Sequence, residues 1–229
     1  MIIFSKLKDA AKLLICPQSG KLVSFGLDCK KCPLYDTCPG PKIPISDLAQ
    51  KLPHENQKDV YNIYIPERQH FPIERSDRLN LWQAITGIIR QNDSILDLGC
   101  GTGRFAKYLQ INNFRGKYLG IEWAASRVAL AQHYVPGYIF RVADIYTKQA
   151  YKFFTDFNII LLLEVIVQCF DETRSYELVE NIPLNKRVIF TEPIQPSSPR
   201  KQPYLELLDI DYMQRFDGID ITLFGARRK

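Results

Sequence analysis

Ser94-Ile95-Leu96-Asp97-Leu98-Gly99-Cys100-Gly101-Thr102-Gly103 is a short, largely apolar segment carrying one aspartate, and it closes on three glycines at alternate positions. Residues 94–98 read as a strand and residues 103–110 as a helix, which puts the glycines on a strand-to-helix turn. Glycines there let the backbone turn sharply and approach a ligand closely, at the carboxyl ends of the strands where doubly wound sheets bind ligands. A dinucleotide-binding loop needs G-x-G-x-x-G, whereas this loop is G-x-G-x-G with an aspartate two positions before the first glycine. A carboxylate so placed is awkward for a pyrophosphate and suits a cationic ligand, because it accepts hydrogen bonds from an ammonium group.

Downstream of the glycine turn, strands and helices alternate. The pattern predicts strands over 117–122, 138–143, 157–163 and 187–191, and helices over 124–133 and 172–181 with a short helix near Lys148. Runs without alternation, such as residues 159–163, are the signature of parallel strands buried on both faces. Residues 207–216 and 219–227 flank Asp217-Gly218, a dipeptide suited to a tight hairpin turn, so the last two strands are expected to be antiparallel. Upstream, residues 76–90 carry Leu79, Trp82, Ile85 and Ile89 at helical spacing. The fold class expected is α/β, a doubly wound, seven-stranded and mostly parallel sheet.

Three further strand ends carry acids. Glu122 closes the second strand, where a carboxylate can accept bonds from both hydroxyls of a ribose, and Trp123 beside it could cover an adenine face. Asp144 closes the third strand, suitably placed for an exocyclic amine, and the N–H of Ile145 could meet a ring nitrogen. Glu164 closes the fourth. Together, the glycine loop and the acids at this spacing resemble the class I S-adenosylmethionine-dependent methyltransferases over residues 76–229. The resemblance implies that Asp97, Gly99, Gly101 and Gly103 hold the methionine moiety, Glu122 the ribose, and Asp144 with Ile145 the adenine; Cys100, inside the loop, and Trp123 belong to the same cofactor-binding set, Cys100 as a small residue that fits the tight backbone. Glu164 is a further cofactor contact on this reading.

The acceptor has to be inferred from the fourth strand end. Relatives that methylate exocyclic base amines show Asn or Asp followed by Pro-Pro and an aromatic there; this chain has Glu164-Val165-Ile166-Val167-Gln168-Cys169. That pattern is more similar to methyltransferases of small molecules, in which a His often stands where Gln168 does. The catalytic candidates are therefore Glu164 and His70, the latter in a segment that covers the acceptor pocket in many relatives; its plainer reading is a surface-loop histidine. His133 reads as structural, His54 carries no signal, and Cys169 reads as a buried thiol.

Four of the six cysteines, Cys16, Cys29, Cys32 and Cys38, crowd into the N-terminal region, in the spacing C-x12-C-x2-C-x5-C. Four thiolates including one close pair suit a tetrahedral zinc or an iron–sulfur cluster, either of which fixes a segment too short to fold by burial alone. The expected organisation is a metal module with an amphipathic helix over 1–42, a linker and pocket-covering segment over 43–75, and the catalytic domain over 76–229. In a chain of 229 residues with 46% hydrophobic side chains, no apolar run reaches the length of a membrane span. Lys6, Lys8, Asp9 and Lys12 interrupt the first apolar run, so it is not read as a signal peptide, and the expected compartment is the cytoplasm. Of the net charge of +5, residues 1–53 carry +4. This excess leaves RNA open as the acceptor, with the basic module docking the phosphates, and leaves open a non-catalytic protein that binds nucleic acid or a partner. A small-molecule acceptor is the leading reading.

Overall fold

A computed structural model describes residues 78–165, 172–193 and 202–229, all within one compact unit. The four N-terminal cysteines, the expected amphipathic helix, the linker, His54, His70, Gln168 and Cys169 lie outside the described residues.

The elements in chain order are α1 (Leu79–Ile88), β1 (Ile95–Leu98), α2 (Arg104–Ile111), β2 (Tyr118–Glu122), α3 (Ala125–Tyr134), β3 (Ile139–Val142), α4 (Lys148–Tyr151), β4 (Ile159–Leu162), α5 (Glu172–Glu180), β5 (Arg187–Pro193), β6 (Leu208–Phe216) and β7 (Ile221–Arg228). The strands form one seven-stranded sheet in the order β3-β2-β1-β4-β5-β7-β6. The pairs within β3-β2-β1-β4-β5 are parallel, and β7 runs antiparallel between β5 and β6. The order reverses between β1 and β4, the switch point at which open α/β sheets leave a crevice.

Successive residues of a strand face opposite sides, so each side chain of β1 belongs to one of two layers. Leu96 and Leu98 pack with Phe154, Phe157, Leu178, Val179 and Tyr204 on one side. Ile95 packs with Leu81, Trp82 and Ile85 of α1, Phe105 and Leu109 of α2, and Val128 and Ala131 of α3 on the other. All four residues of β1, Asp97 included, and all four of the apolar β4 are buried, as in a sheet covered on both faces. Full burial of a Leu or Ile in such a layer contributes about 1.5–3 kcal/mol.

Two sequence expectations need correction. In α1 the fully buried residues are Leu81, Trp82 and Ile85, while Leu79 and Ile89 are half-buried. Ile89 has extended backbone at the helix end, so the helical spacing no longer governs where it points. The β6–β7 hairpin is antiparallel as expected, but its loop holds four residues, Asp217 to Asp220, since Phe216 pairs with Ile221. A short 3-10 turn opens that loop and Asp220, at φ 53°, supplies the left-handed residue. Gly218 is not where the conformational demand falls. Among the described residues no helix is long and apolar enough to cross a membrane.

Candidate functional site

The loop joining β1 to α2 is tied to the end of β2 by its backbone. The N–H groups of Gly99 and Cys100 both donate to the Ile121 carbonyl, at 2.7 and 3.1 Å, and Gly103 N–H donates to the Cys100 carbonyl at 3.0 Å. Gly99, Gly101 and Gly103 have φ of 78°, 56° and 76°. At Gly99 an added Cβ would lie 2.5 Å from Cγ2 of Val165, so the loop here needs both the left-handed backbone and the missing side chain. At Gly101 an added Cβ would meet no heavy atom within 4 Å. The loop is thus packed against β4's end at its first glycine and faces open space at its second. The Cys100 side chain turns toward the sheet, where its sulfur lies against Gly120 of β2, and burial pushes its thiol well above the ordinary cysteine range. It is a small residue filling a close contact.

Glu122 is 4% exposed and holds two backbone segments at once. Its Oε2 accepts from Gly101 N–H at 3.1 Å and its Oε1 from Ala124 N–H at 2.9 Å, so one carboxylate fixes the glycine loop and the start of α3. Burial raises its pKa, against the opposing pull of the Arg127 guanidinium and of the Ala124, Gly101 and Trp123 N–H groups. A carboxylate has about four lone-pair sites, so acceptor capacity is left for a ligand hydroxyl. Trp123 is half-buried beside it.

Asp97 is 2% exposed, and the Tyr118 hydroxyl donates to its Oδ2 at 2.5 Å. Burial is the main reason its pKa is pushed up to about 7; the Glu122 charge adds to the rise and the Tyr118 hydrogen bond opposes it. At the end of β3, Asp144 Oδ1 accepts from Tyr146 N–H at 2.9 Å and the Asp144 carbonyl accepts from the Thr147 hydroxyl, which folds residues 144–147 into a turn that presents Ile145. The Ile145 side chain belongs to the core.

Glu164 stands just beyond β4 with φ 57°, an uncommon conformation for a residue with a side chain and one that costs of order 1–3 kcal/mol where surroundings enforce it. Its N–H donates to the buried Thr191 hydroxyl of β5 at 2.6 Å. Both of its carboxylate oxygens pair with Arg78, at 2.6 Å from Nη2 and 3.1 Å from Nε, so the residue that opens α1 is clasped to the tip of β4. Beside it, buried Glu192 on β5 accepts from the Tyr204 hydroxyl and from Gln202 Nε2 at 3.2 Å.

The structure therefore brings Asp97, Gly99, Cys100, Gly101, Gly103 and Glu122 together, with Trp123, Asp144 and Ile145 at the adjoining strand ends and Glu164 across the switch point. Sequence reasoning missed Arg78, Tyr118, Arg127, Val165, Thr191 and Glu192. Tyr118 had a signal: it lies two residues before Gly120, which pairs with Asp97, so it stands on the same side of the sheet as that aspartate. Among the described residues no group of three or more His, Cys, Asp or Glu side chains could hold a metal ion.

Residues 96–179 match the methyltransferase domain family, a stretch that begins on β1 and ends on α5. No curated protein matches the chain in sequence. Among solved structures, a TehB-like S-adenosylmethionine-dependent methyltransferase from Corynebacterium glutamicum is 18% identical with a TM-score of 0.54, the match covering 68% of this chain and 91% of that one. The glycopeptide N-methyltransferase MtfA, solved with S-adenosyl-L-homocysteine, is 11% identical with a TM-score of 0.54 over 68% of this chain and 91% of its own. The N-methyltransferase NodS from Bradyrhizobium japonicum, also solved with S-adenosyl-L-homocysteine, is 16% identical with a TM-score of 0.51 over 69% and 88%. At these identities the likeness is one of fold.

Proposed function

We propose that the chain is an S-adenosylmethionine-dependent methyltransferase acting on a small or medium-sized acceptor. The observation that carries this reading is the left-handed glycine loop at the switch point, fixed from below by the Ile121 carbonyl and the Glu122 carboxylate and open at Gly101. The fit to the cofactor rests on that open side: at Gly101 a ligand can approach the backbone with no Cβ in the way, and the buried carboxylates of Asp97 and Glu122 lie behind the loop to favour positive charge. The methyltransferase-domain match over 96–179, and the S-adenosyl-L-homocysteine complexes of MtfA and NodS, support the same assignment.

On this reading Gly99, Gly101 and Gly103, with Asp97 behind them, hold the methionine end. Glu122 holds the ribose, Trp123 covers an adenine face, and Asp144 with Ile145 holds the adenine edge. The bound cofactor supplies a methyl group on a sulfonium, which is already a good leaving group. What remains to the protein is alignment of the acceptor, exclusion of water and removal of a proton when the acceptor is a hydroxyl or ammonium. Glu164, paired through both oxygens to Arg78, is poorly disposed to take that proton and is assigned to holding α1 against β4. His70 is kept as the candidate base. The four-cysteine site for zinc or an iron–sulfur cluster belongs to the proposal through its spacing, the divisions at 42 and 75 through shifts in composition, and the cytoplasmic compartment through the charged residues that interrupt the first apolar run.

The test is transfer of a radiolabelled methyl group from S-adenosylmethionine into a fractionated cell extract, with small-molecule, RNA and protein pools counted separately. Label in the small-molecule pool is expected. Label confined to RNA would replace the acceptor class and give the basic N-terminal region its role; no label in any pool would count against the enzyme reading.

A further inference from the structure

Three side chains able to carry charge are withdrawn from solvent beneath the glycine loop: Asp97 on β1, Glu122 at the end of β2 and Arg127 on α3. Their surroundings divide them unequally. Glu122 faces the Arg127 guanidinium and several backbone N–H groups. Among the described residues, the groups that face Asp97 are the Tyr118 hydroxyl and the Glu122 carboxylate from β2 and the Cys100 thiol from the loop, none of them a cation. Tyr138, preceding β3, stacks on Tyr118 with ring centroids 4.9 Å apart, and from β4 the residue paired with Asp97 is the apolar Leu161. With both carboxylates ionised, two buried negative charges would share one guanidinium, an arrangement that burial makes costly unless a cation joins it or a proton neutralises one acid.

We propose that Asp97 is the protonated partner in the free protein near neutral pH and that it releases its proton to solvent when a cationic ligand settles over the glycine loop, so that cofactor binding and deprotonation are one event. The inference rests on the reading of the site as one for S-adenosylmethionine, whose sulfonium and ammonium are the compensating charges. In the event the Asp97 carboxyl O–H bond breaks, its electron pair stays on the carboxylate, and the proton passes to bulk water or buffer. The elevation of the Asp97 carboxyl to about 7 places the free protein's proton in the required range. Glu122, with a guanidinium and N–H donors about it, is the less suitable carrier.

Calorimetric titration of the full chain with S-adenosylmethionine, in buffers of differing ionisation enthalpy, reads the protons released. About one proton per site is expected at roughly pH 6, falling toward zero by about pH 8, with affinity rising up to tenfold per pH unit between them. Asp97→Asn should lose the rise in affinity and the released proton near pH 6, where the ligand's own amino group, with a pKa of about 7.7–8.0, stays protonated; this separates Asp97 from that group. Tyr118→Phe removes the donor that favours the ionised acid, so the affinity midpoint should move to higher pH; this variant serves if Asp97→Asn does not fold. Binding that is flat with pH in the wild-type chain, or equal proton release in Asp97→Asn, would overturn the coupling and leave the cofactor assignment standing. Absence of binding at every pH would overturn the cofactor assignment and this inference with it.

Discussion

Gly99→Ala and Gly101→Ala are the same chemical change at two positions of one loop, and the structure separates their consequences. Both glycines have positive φ, so a methyl group at either position costs about 1–2 kcal/mol in backbone conformation. At Gly99 that methyl also falls 2.5 Å from Cγ2 of Val165, and forcing the two apart adds an overpacking cost of about 1–3 kcal/mol. At Gly101 no heavy atom stands within 4 Å, so stability should fall by the conformational part alone. Urea unfolding should therefore show Gly99→Ala less stable than Gly101→Ala by about 1–3 kcal/mol. Combining Gly99→Ala with Val165→Ala should recover the difference, visible as a coupling energy of about that size in a double-mutant cycle. Cofactor affinity should order the variants differently, because the Gly101 methyl projects into the space assigned to the ligand; Gly101→Ala should lose at least about tenfold in affinity, or ~1.4 kcal/mol. Equal destabilisation by the two substitutions with no coupling to Val165 would refute the packing argument. Unchanged affinity in Gly101→Ala would refute the placement of the cofactor.

The acid beneath the loop gives a stability prediction that needs no ligand. Asp97 has a folded pKa of about 7 against 3.8 for the free side chain, so the folded protein binds the proton more tightly. The resulting stabilisation is present below about pH 4 and is lost as pH rises through about 7. Relative to Asp97→Asn, the wild type should lose about 1.4 kcal/mol per pH unit across that window, approaching about 4 kcal/mol in all; unfolding curves with parallel pH dependence would contradict it. Glu122→Gln keeps the shape of the side chain but not its charge, and should weaken cofactor binding by about 1.5–3 kcal/mol in a titration. Tyr204→Phe leaves the buried Glu192 carboxylate short of a donor and should lower stability by about 1–3 kcal/mol, read as a lower Tm.

Local features of the fold were legible in the sequence, and pairings between distant segments were not. The unbroken apolar run over 159–163 marked β4 as a strand buried on both faces, and the glycine turn marked the end of β1, but a run without alternation carries no information that fixes register. The Tyr118–Asp97 hydrogen bond follows from the Asp97–Gly120 pairing, and only a committed register could have revealed it. The Arg78–Glu164 pair joins residues 86 positions apart and depends on a left-handed glutamate, for which no motif exists in sequence. The β6–β7 turn failed for the opposite reason: Asp-Gly is a strong short-range signal, yet the pairing of Phe216 with Ile221 leaves a loop longer than a two-residue turn can use.

The same division separates the two halves of the candidate site. On the glycine-loop side, the one assigned to the cofactor in the proposed function, consecutive residues of β2 do the fastening: the Ile121 carbonyl takes two loop N–H groups, and the Glu122 carboxylate takes one from the loop and one from the start of α3. A ligand entering there meets a loop already shaped, so little ordering opposes binding, and the sequence of that stretch nearly suffices to describe it. On the far side of the switch point, the backbone of Glu164 is held by Thr191 of β5 and its carboxylate by Arg78 before α1, so three separated segments must be in place before that wall exists. If the acceptor lies against this wall, as the proposed function has it, its recognition rests on side chains whose positions are set by the assembled sheet. On the proposed reading, substitutions at Arg78 or Thr191 should therefore disturb acceptor use more than cofactor affinity, because they act on the wall and leave the glycine loop's own fastenings in place.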